Sequence, residues 1–364
     1  MDHADFLLRD SCERTLSYHH RESPRDILRG LSESPAALRA ADYFGKGEML
    51  QAFEQRVAKL LGKEAGVFFM KGVVAQHCLL RAVSERQGSR LVGLSPMSHI
   101  DFEEGGGLEI IHSLHLVRLG RYAPYTVADL KAVGDTLCAV VVELPLRRAG
   151  YLMPTWTELV AISDWCRERG VTLHLDGARI WEAAAGYGRE PRDLADLADS
   201  VYVSFYKGLG GLAGCLLAGT SATMHAVQGW RVREGGILST VFHYVIAAAN
   251  GLDRHLPRMK QYVERARGLA LALEGIGTVQ LHPRVPQVNA FHIILDGTVA
   301  DLTARHRDFA RQHRVWLFNA FSATAYEGKV MAEIIIGDAA DRYSDAEACA
   351  WISTFLDTQG NASP

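Results

Sequence analysis

The chain has 364 residues, 48% of them hydrophobic and 22% charged, with 34 glycines, which describes an ordinary globular protein long enough for one large core or for a large and a small domain. Its formal net charge of -3 and pI near 6.6 give no general attraction to phosphate backbones or anionic lipid, and no local basic patch supplies one, so neither nucleic acid nor membrane is an expected partner. Cys12, Cys78, Cys138, Cys166, Cys215 and Cys349 are scattered without a C-x-x-C pair, which fits free thiols in a reducing compartment and makes the cytoplasm the expected location; no metal site is expected.

No apolar run approaches the roughly 20 residues that cross a bilayer. The start, "MDHADFLLRDSCERT", breaks its one apolar patch with charge, unlike a secretory leader. Residues 1–41 are polar and weakly periodic, with Pro24 and Pro35 among them, and are expected to form an N-terminal arm. In "GEMLQAFEQRVAKLLGKEA", Leu50, Phe53, Val57, Leu60 and Leu61 recur at three- and four-residue steps, predicting a helix, and the short apolar "GVFFM" follows. "VAQHCLLRAVSERQGS" predicts the next helix. "TLCAVVVELP" and "VTLHLDG" read as strands buried on both faces, separated by the helix "TWTELVAISDWCRERG" capped by Thr155 or Thr157, and "DSVYVSFYKG" reads as a further strand. Near-continuous apolar strands separated by helices indicate an α/β fold, a mainly parallel sheet covered by helices, over residues 42–250. In such sheets functional groups collect at the strand carboxyl ends. From "ANGLDRHLPRMKQYVERARGLALALEG" the pattern becomes one long basic helix, then strands in "VNAFHIIL", "VWLFNAF" and "VMAEIIIGD", and a final helix from about Ser344; residues 251–364 are expected to form a smaller α+β domain.

Three residues end buried strands. Asp176 follows "VTLHL", Lys207 follows "VYVSFY", and His99 follows "LVGLSPMS". The 31 residues between Asp176 and Lys207 fit one helix and one strand, so the two can stand on neighbouring elements of one sheet. Singly, each has a plain explanation: Asp-Gly after a strand is often a turn, and a lysine before glycines is usually solvated. Together they suit pyridoxal 5'-phosphate, which needs a lysine to join its aldehyde, an acid on its pyridine nitrogen, a flat partner for the ring, and backbone N–H groups at a helix start for the phosphate.

The stretches "LHLDGARIWEAA", "VSFYKGLGGLAGCLLAG", "SHIDFEEGGG" and "FGKGEMLQAFEQRVAKLLGKEAGVFF" resemble the threonine aldolase and β-eliminating lyase family of pyridoxal phosphate enzymes, of the aspartate aminotransferase fold type I. The resemblance runs from about Asp42 to Gly219 and more faintly to the C-terminus. It implies that Lys207 holds the cofactor, Asp176 pairs with the pyridine nitrogen, and His99 stacks on the ring. Arg179 is implied near the phenolic oxygen and the substrate carboxylate, and the N–H groups of Gly72 and Val73 at the phosphate. Lys71 and Ser204 join the cofactor-binding set, and Ser11 joins the substrate set. A homodimer or homotetramer with shared sites and an amino acid substrate are also implied.

The chain departs from the family pattern where the substrate is concerned. The phosphate loop carries Lys71 and Val73 in place of serine and threonine. The histidine that follows the strand-ending glutamate is missing after Glu143, where "LPLRRAGYLMP" stands instead. Arg147 and Arg148 in that stretch read either as a solvated turn or as an anion clamp. The small-domain arginine for the α-carboxylate is replaced by Glu333 in "VMAEIIIGD", and the arginine after the "GG" pair by a position near Ser239, leaving Arg231 or Arg233 as substitutes.

The expected reaction is cleavage of the Cα–Cβ bond of a β-hydroxy-α-amino acid to glycine and an aldehyde. Other outcomes on the same cofactor stay open: β-elimination, racemisation, transaldol exchange, or binding without catalysis, because the cofactor supplies the electron sink in each. A Rossmann-type nucleotide site at "GLGGLAG" competes, but its glycines come late in the chain, directly after a lysine, and no acidic residue ends a next strand about 20 residues later as that fingerprint wants.

Overall fold

Strands that the sequence writes as unbroken apolar runs occupy the middle of one seven-stranded sheet. Ala139–Glu143, Thr172–Gly177, Ser200–Ser204 and Cys215–Gly219 are buried at every position, since helices cover both faces and period-two alternation has no purpose there. The sheet order is Ala65–Phe69, Cys215–Gly219, Ser200–Ser204, Thr172–Gly177, Ala139–Glu143, Leu91–Leu94, His115–Arg118; only Cys215–Gly219 runs against its neighbours.

This computed structural model describes residues 3–134 and 136–357, and the chain divides into two compact units, Pro24–Pro257 and Met1–Ser23 with Arg258–Pro364. In the first unit the helix Gly72–Gln87 lays Ala75, Cys78, Leu79 and Val83 against Val92, Val141 and Leu217 of the sheet. Each fully buried leucine or valine there contributes about 1.5–3 kcal/mol. The helix Trp156–Arg169 starts at Thr155, whose hydroxyl accepts the Glu158 N–H at 3.2 Å, so Thr155 and not Thr157 is the cap; Gly170, at φ 64°, ends it in the left-handed region that glycine enters without strain.

The second unit has a four-stranded antiparallel sheet in the order Phe321–Ala323, Lys329–Ile335, Ala290–Asp296, Gln280–His282, with helices Met259–Leu273, Val299–His313 and Asp345–Asp357. The expected strand "VWLFNAF" is cut short after Val315–Trp316. The N–H groups of Leu317 and Phe318 turn to the Nε2 of buried His306, at 3.1 and 3.2 Å, instead of to a ladder. The N-terminal segment is more ordered than an arm. Its helix His3–Ser11 is tied to this unit through Asp5 and Arg307, with bonds of 2.6 and 3.0 Å, and Arg14–Thr15 pairs in parallel with Val315–Trp316.

The chain passes from one compact unit to the other after Ser23 and after Pro257. A further expectation changes. The long basic helix is two helices, Phe242–His255 and Met259–Leu273, because Pro257 lacks an N–H and disfavours helix in the residue before it. No described helix is long and apolar enough to cross a membrane.

Candidate active site

Parallel register sets the site. Glu143 lies opposite Asp176, and Asp176 opposite Tyr202, so adjacent strands end level with one another. Beyond Ser204 the chain passes through Phe205 and Tyr206 to Lys207, and His99 opens the single turn His99–Phe102 after the strand Leu91–Leu94. His99, Asp176 and Lys207 line one pocket together with Glu103, Glu143, Arg147, Arg148, Ala178 and Arg179. A larger cavity of about 430 Å³ lies at the amino end of Thr172–Gly177, but its Arg86 is already donating to Thr172 and Thr223, and none of the strand-end groups reaches it.

Asp176 is 2% exposed, and its carboxylate accepts the Gln76 amide at 3.1 Å and the Ala178 N–H at 3.2 Å. Glu143 accepts the N–H of His99 at 2.6 Å and of Arg147 at 3.1 Å; burial, and then the charge of Asp176, push its carboxyl up to about 7. The Lys207 amine is brought down to about 8, chiefly by burial and then by the Arg179 guanidinium. Its neutral, nucleophilic form is therefore populated near neutrality. The imidazole of His99 is raised, first by its hydrogen bond to Glu104.

Arg179 is buried at the start of the helix Ile180–Tyr187 with its guanidinium 5.2 Å from the centre of the Tyr151 ring. Arg148 lies over Phe102 at 3.4 Å and binds Glu103 at 2.8 Å, whereas Arg147 is 3.9 Å from Glu103. Arg147 and Arg148 of the "RRAG" stretch thus line the pocket.

Lys71, Gly72, Val73 and Ser204 are not among the pocket-lining residues. Lys71 caps the helix Gly72–Gln87 with extended backbone, and Ala75 is the first residue whose N–H reaches back, to the Lys71 carbonyl at 3.1 Å. The N–H groups of Gly72 and Val73 precede that bond. A Cβ on Gly72 would overlap the Tyr202 phenol, which places the helix start against the residue opposite Asp176. Ser204 is 1% exposed at its strand end. Arg231 is buried, with its guanidinium 5.3 Å from the Phe69 ring centre and its Nε donating to the Gly236 carbonyl at 3.1 Å; Arg233 packs over Trp230. Ser11 belongs to the other unit, where its hydroxyl donates to the Leu8 carbonyl, and Glu333 there stands 3.5 Å from His292.

Gln76, Glu143, Glu104 and His77 had no part in the site expected from sequence. The first is one helical turn past Gly72, on the face that meets Asp176, and the second shares the register of Asp176. Glu104 sits five residues past His99 and binds it at 2.8 Å.

The family profile described as beta-eliminating lyase matches residues 33–296. The chain belongs to the beta-eliminating lyase family. Within it, a solved Listeria monocytogenes protein provisionally named an L-allo-threonine aldolase is 30% identical, with a TM-score of 0.90 and coverage of 97% of this chain and 98% of that one. An aldolase of Penicillium aethiopicum is 32% identical over 54% of this chain, and the match spans only 52% of that protein's length. A low specificity L-threonine aldolase of Escherichia coli O157:H7 is 27% identical over 73% of this chain and 82% of its own. The sheet of this lyase-family chain accordingly has the mainly parallel architecture expected from its sequence.

Proposed function

We propose that the chain binds pyridoxal 5'-phosphate and cleaves the Cα–Cβ bond of a β-hydroxy-α-amino acid, giving glycine and an aldehyde. One observation carries the reading: a lysine whose amine titrates near 8 and a buried, doubly anchored carboxylate line a single pocket with a histidine. The residues fit the cofactor. Asp176 holds a proton on a facing ring nitrogen, since its two anchoring bonds leave acceptor capacity on both oxygens. Lys207 supplies the amine that joins the aldehyde, and His99 faces the ring. The N–H groups of Gly72 and Val73, at the positive end of a 16-residue helix, hold the phosphate with Lys71, and Ser204 and Arg179 complete the cofactor contacts. When bound, the cofactor supplies a conjugated pyridinium that takes up the electron pair left on Cα.

On the substrate side, Arg147, Arg148 and Arg179 offer three guanidinium groups for a carboxylate, and Ser11 is a further contact to test. No histidine follows Glu143 in "LPLRRAGYLMP", so the proton of the β-hydroxyl needs another base. The Nε2 of His99 has no hydrogen-bond partner among the described residues and is the base available for the β-hydroxyl. We further propose a homodimer or homotetramer with shared sites, working in the cytoplasm.

The missing histidine, with Glu333 in the strand sequence where the family pattern has an arginine, favours a second reading: the same cofactor used for β-elimination, racemisation or transaldol exchange, or bound without turnover. Two measurements separate these. Purified protein with added pyridoxal phosphate should turn yellow and form a borohydride-reducible adduct that Lys207→Ala loses; a colourless wild type rejects every cofactor reading. Threonine, allo-threonine and phenylserine are then offered and glycine and aldehyde assayed, and release of glycine from none of them rejects the lyase assignment in favour of the second reading.

A further inference from the structure

Glu104 is the one residue of "SHIDFEEGGG" that turns inward between two imidazoles. Its side chain is 1% exposed, and its two oxygens lie 2.8 Å from the Nδ1 of His99 and 2.8 Å from the Nε2 of His77. His77 comes from the helix Gly72–Gln87 and is 4% exposed. It reaches Glu104 through space that Gly107 leaves open: a Cβ on Gly107 would sit 2.7 Å from the His77 ring carbon. The glycine run after Glu104 therefore has a packing reason at Gly107, and the contact is built from two separate elements of the fold.

We propose that Glu104 and His77 are positioning residues for His99. An ionised carboxylate can only accept, so both nitrogens that face it carry protons. In the neutral ring this puts the His99 proton on Nδ1 and leaves the lone pair on Nε2, toward the pocket. His77 occupies the second carboxylate oxygen, so Glu104 cannot swing to any other donor. Burial works to raise the Glu104 carboxyl, but the two imidazoles outweigh it and hold it below the usual range, so it is ionised at neutral pH. The other charged groups that act on His99 are Asp176 and Lys207, of opposite sign; His77 itself meets His112, whose ring centre is 5.1 Å away and which stands 3.8 Å from Glu234. The tautomer is a property of the chain alone. Its use in removing a β-hydroxyl proton rests on the lyase reading above.

The test uses the full chain with 15N in its histidines only and reads long-range 1H–15N spectra across pH without cofactor, the His99 signals being assigned by their loss in His99→Asn. The expected wild-type ring, once neutral, has a protonated Nδ1 and a bare Nε2. Glu104→Gln, which can still accept from one imidazole but has no charge, should mix the tautomers and lower the His99 midpoint. Glu104→Asp should restore both in part, and Gly107→Ala, which crowds His77, should shift His99 in the same direction as Glu104→Gln by less. A wild-type ring protonated on Nε2, or an unchanged tautomer and midpoint in Glu104→Gln, overturns the proposal, even if that variant melts at a lower temperature. If Glu104→Gln does not fold, the wild-type tautomer and Gly107→Ala decide. Where the wild type releases glycine, the acid limb of its pH profile should move to lower pH in Glu104→Gln; absence of glycine release with the expected spectra leaves the positioning pair standing and removes only the reaction.

Discussion

Glu143 and Asp176 stand level at the carboxyl ends of adjacent parallel strands, two buried carboxyl groups in one register. Burial, and then the charge of Asp176, displace the Glu143 carboxyl from near 4.5 to about 7. Between those values the folded chain holds a proton that the unfolded chain has released, so stability falls as pH rises through this window. Glu143→Gln removes that titration. Denaturant unfolding at about pH 5 and about pH 8 should show the variant gaining on the wild type as pH rises, on top of a constant loss from one missing acceptor for the N–H groups of His99 and Arg147. A difference independent of pH would contradict the shift.

Lys207 should be the first lysine to react with an aromatic aldehyde. At pH 7 an amine titrating near 8 is neutral in roughly one molecule in ten, against roughly one in 2,500 for an ordinary lysine near 10.4. Brief treatment followed by borohydride and peptide mapping should place most of the label on Lys207. Even labelling across the chain's lysines would refute the lowered value.

Gly72→Ala should cost about 1–3 kcal/mol, the usual penalty for an extra methyl in a packed site, because the new Cβ meets the Tyr202 phenol. Unfolding without cofactor reads this directly. Since the same change displaces the helix start, the variant should also bind pyridoxal phosphate more weakly than its stability loss explains.

Arg147 and Arg148 should separate in kinetics. Arg148 is held by Glu103 and stacked on Phe102, so its loss mainly loosens the wall, while Arg147 lines the pocket at a longer distance from Glu103, 3.9 Å. Arg147→Ala is expected to raise KM by roughly 10- to 100-fold, the range for a charged hydrogen bond, with a smaller effect from Arg148→Ala. Equal KM in both variants and the wild type would remove the clamp.

His99, Asp176 and Lys207 were legible because each follows an apolar run that can only be a buried strand, and such strands deliver their ends to one edge. Gln76, Glu104 and His77 were not, since their roles depend on which helix face meets which strand and on the room left at Gly107, neither of which is local. Pro257 was in plain view but was outweighed by the basic periodicity on either side of it. The shortened "VWLFNAF" strand could not be foreseen without knowing that His306 competes for its N–H groups. The N-terminal helix likewise depends on a partner, Arg307, about 300 residues away.

Glu143 holds the Leu146–Ala149 wall by accepting the backbone N–H of Arg147. That tether is open to any residue at 147 that keeps a backbone N–H, which excludes proline. A library of substitutions at residues 147 and 148 that omits proline at 147 should therefore keep the wall on its strand end, making this short stretch the place where the chain's substrate preference can be exchanged as a module, with the Lys207 amine shifting as the charge at residue 147 changes.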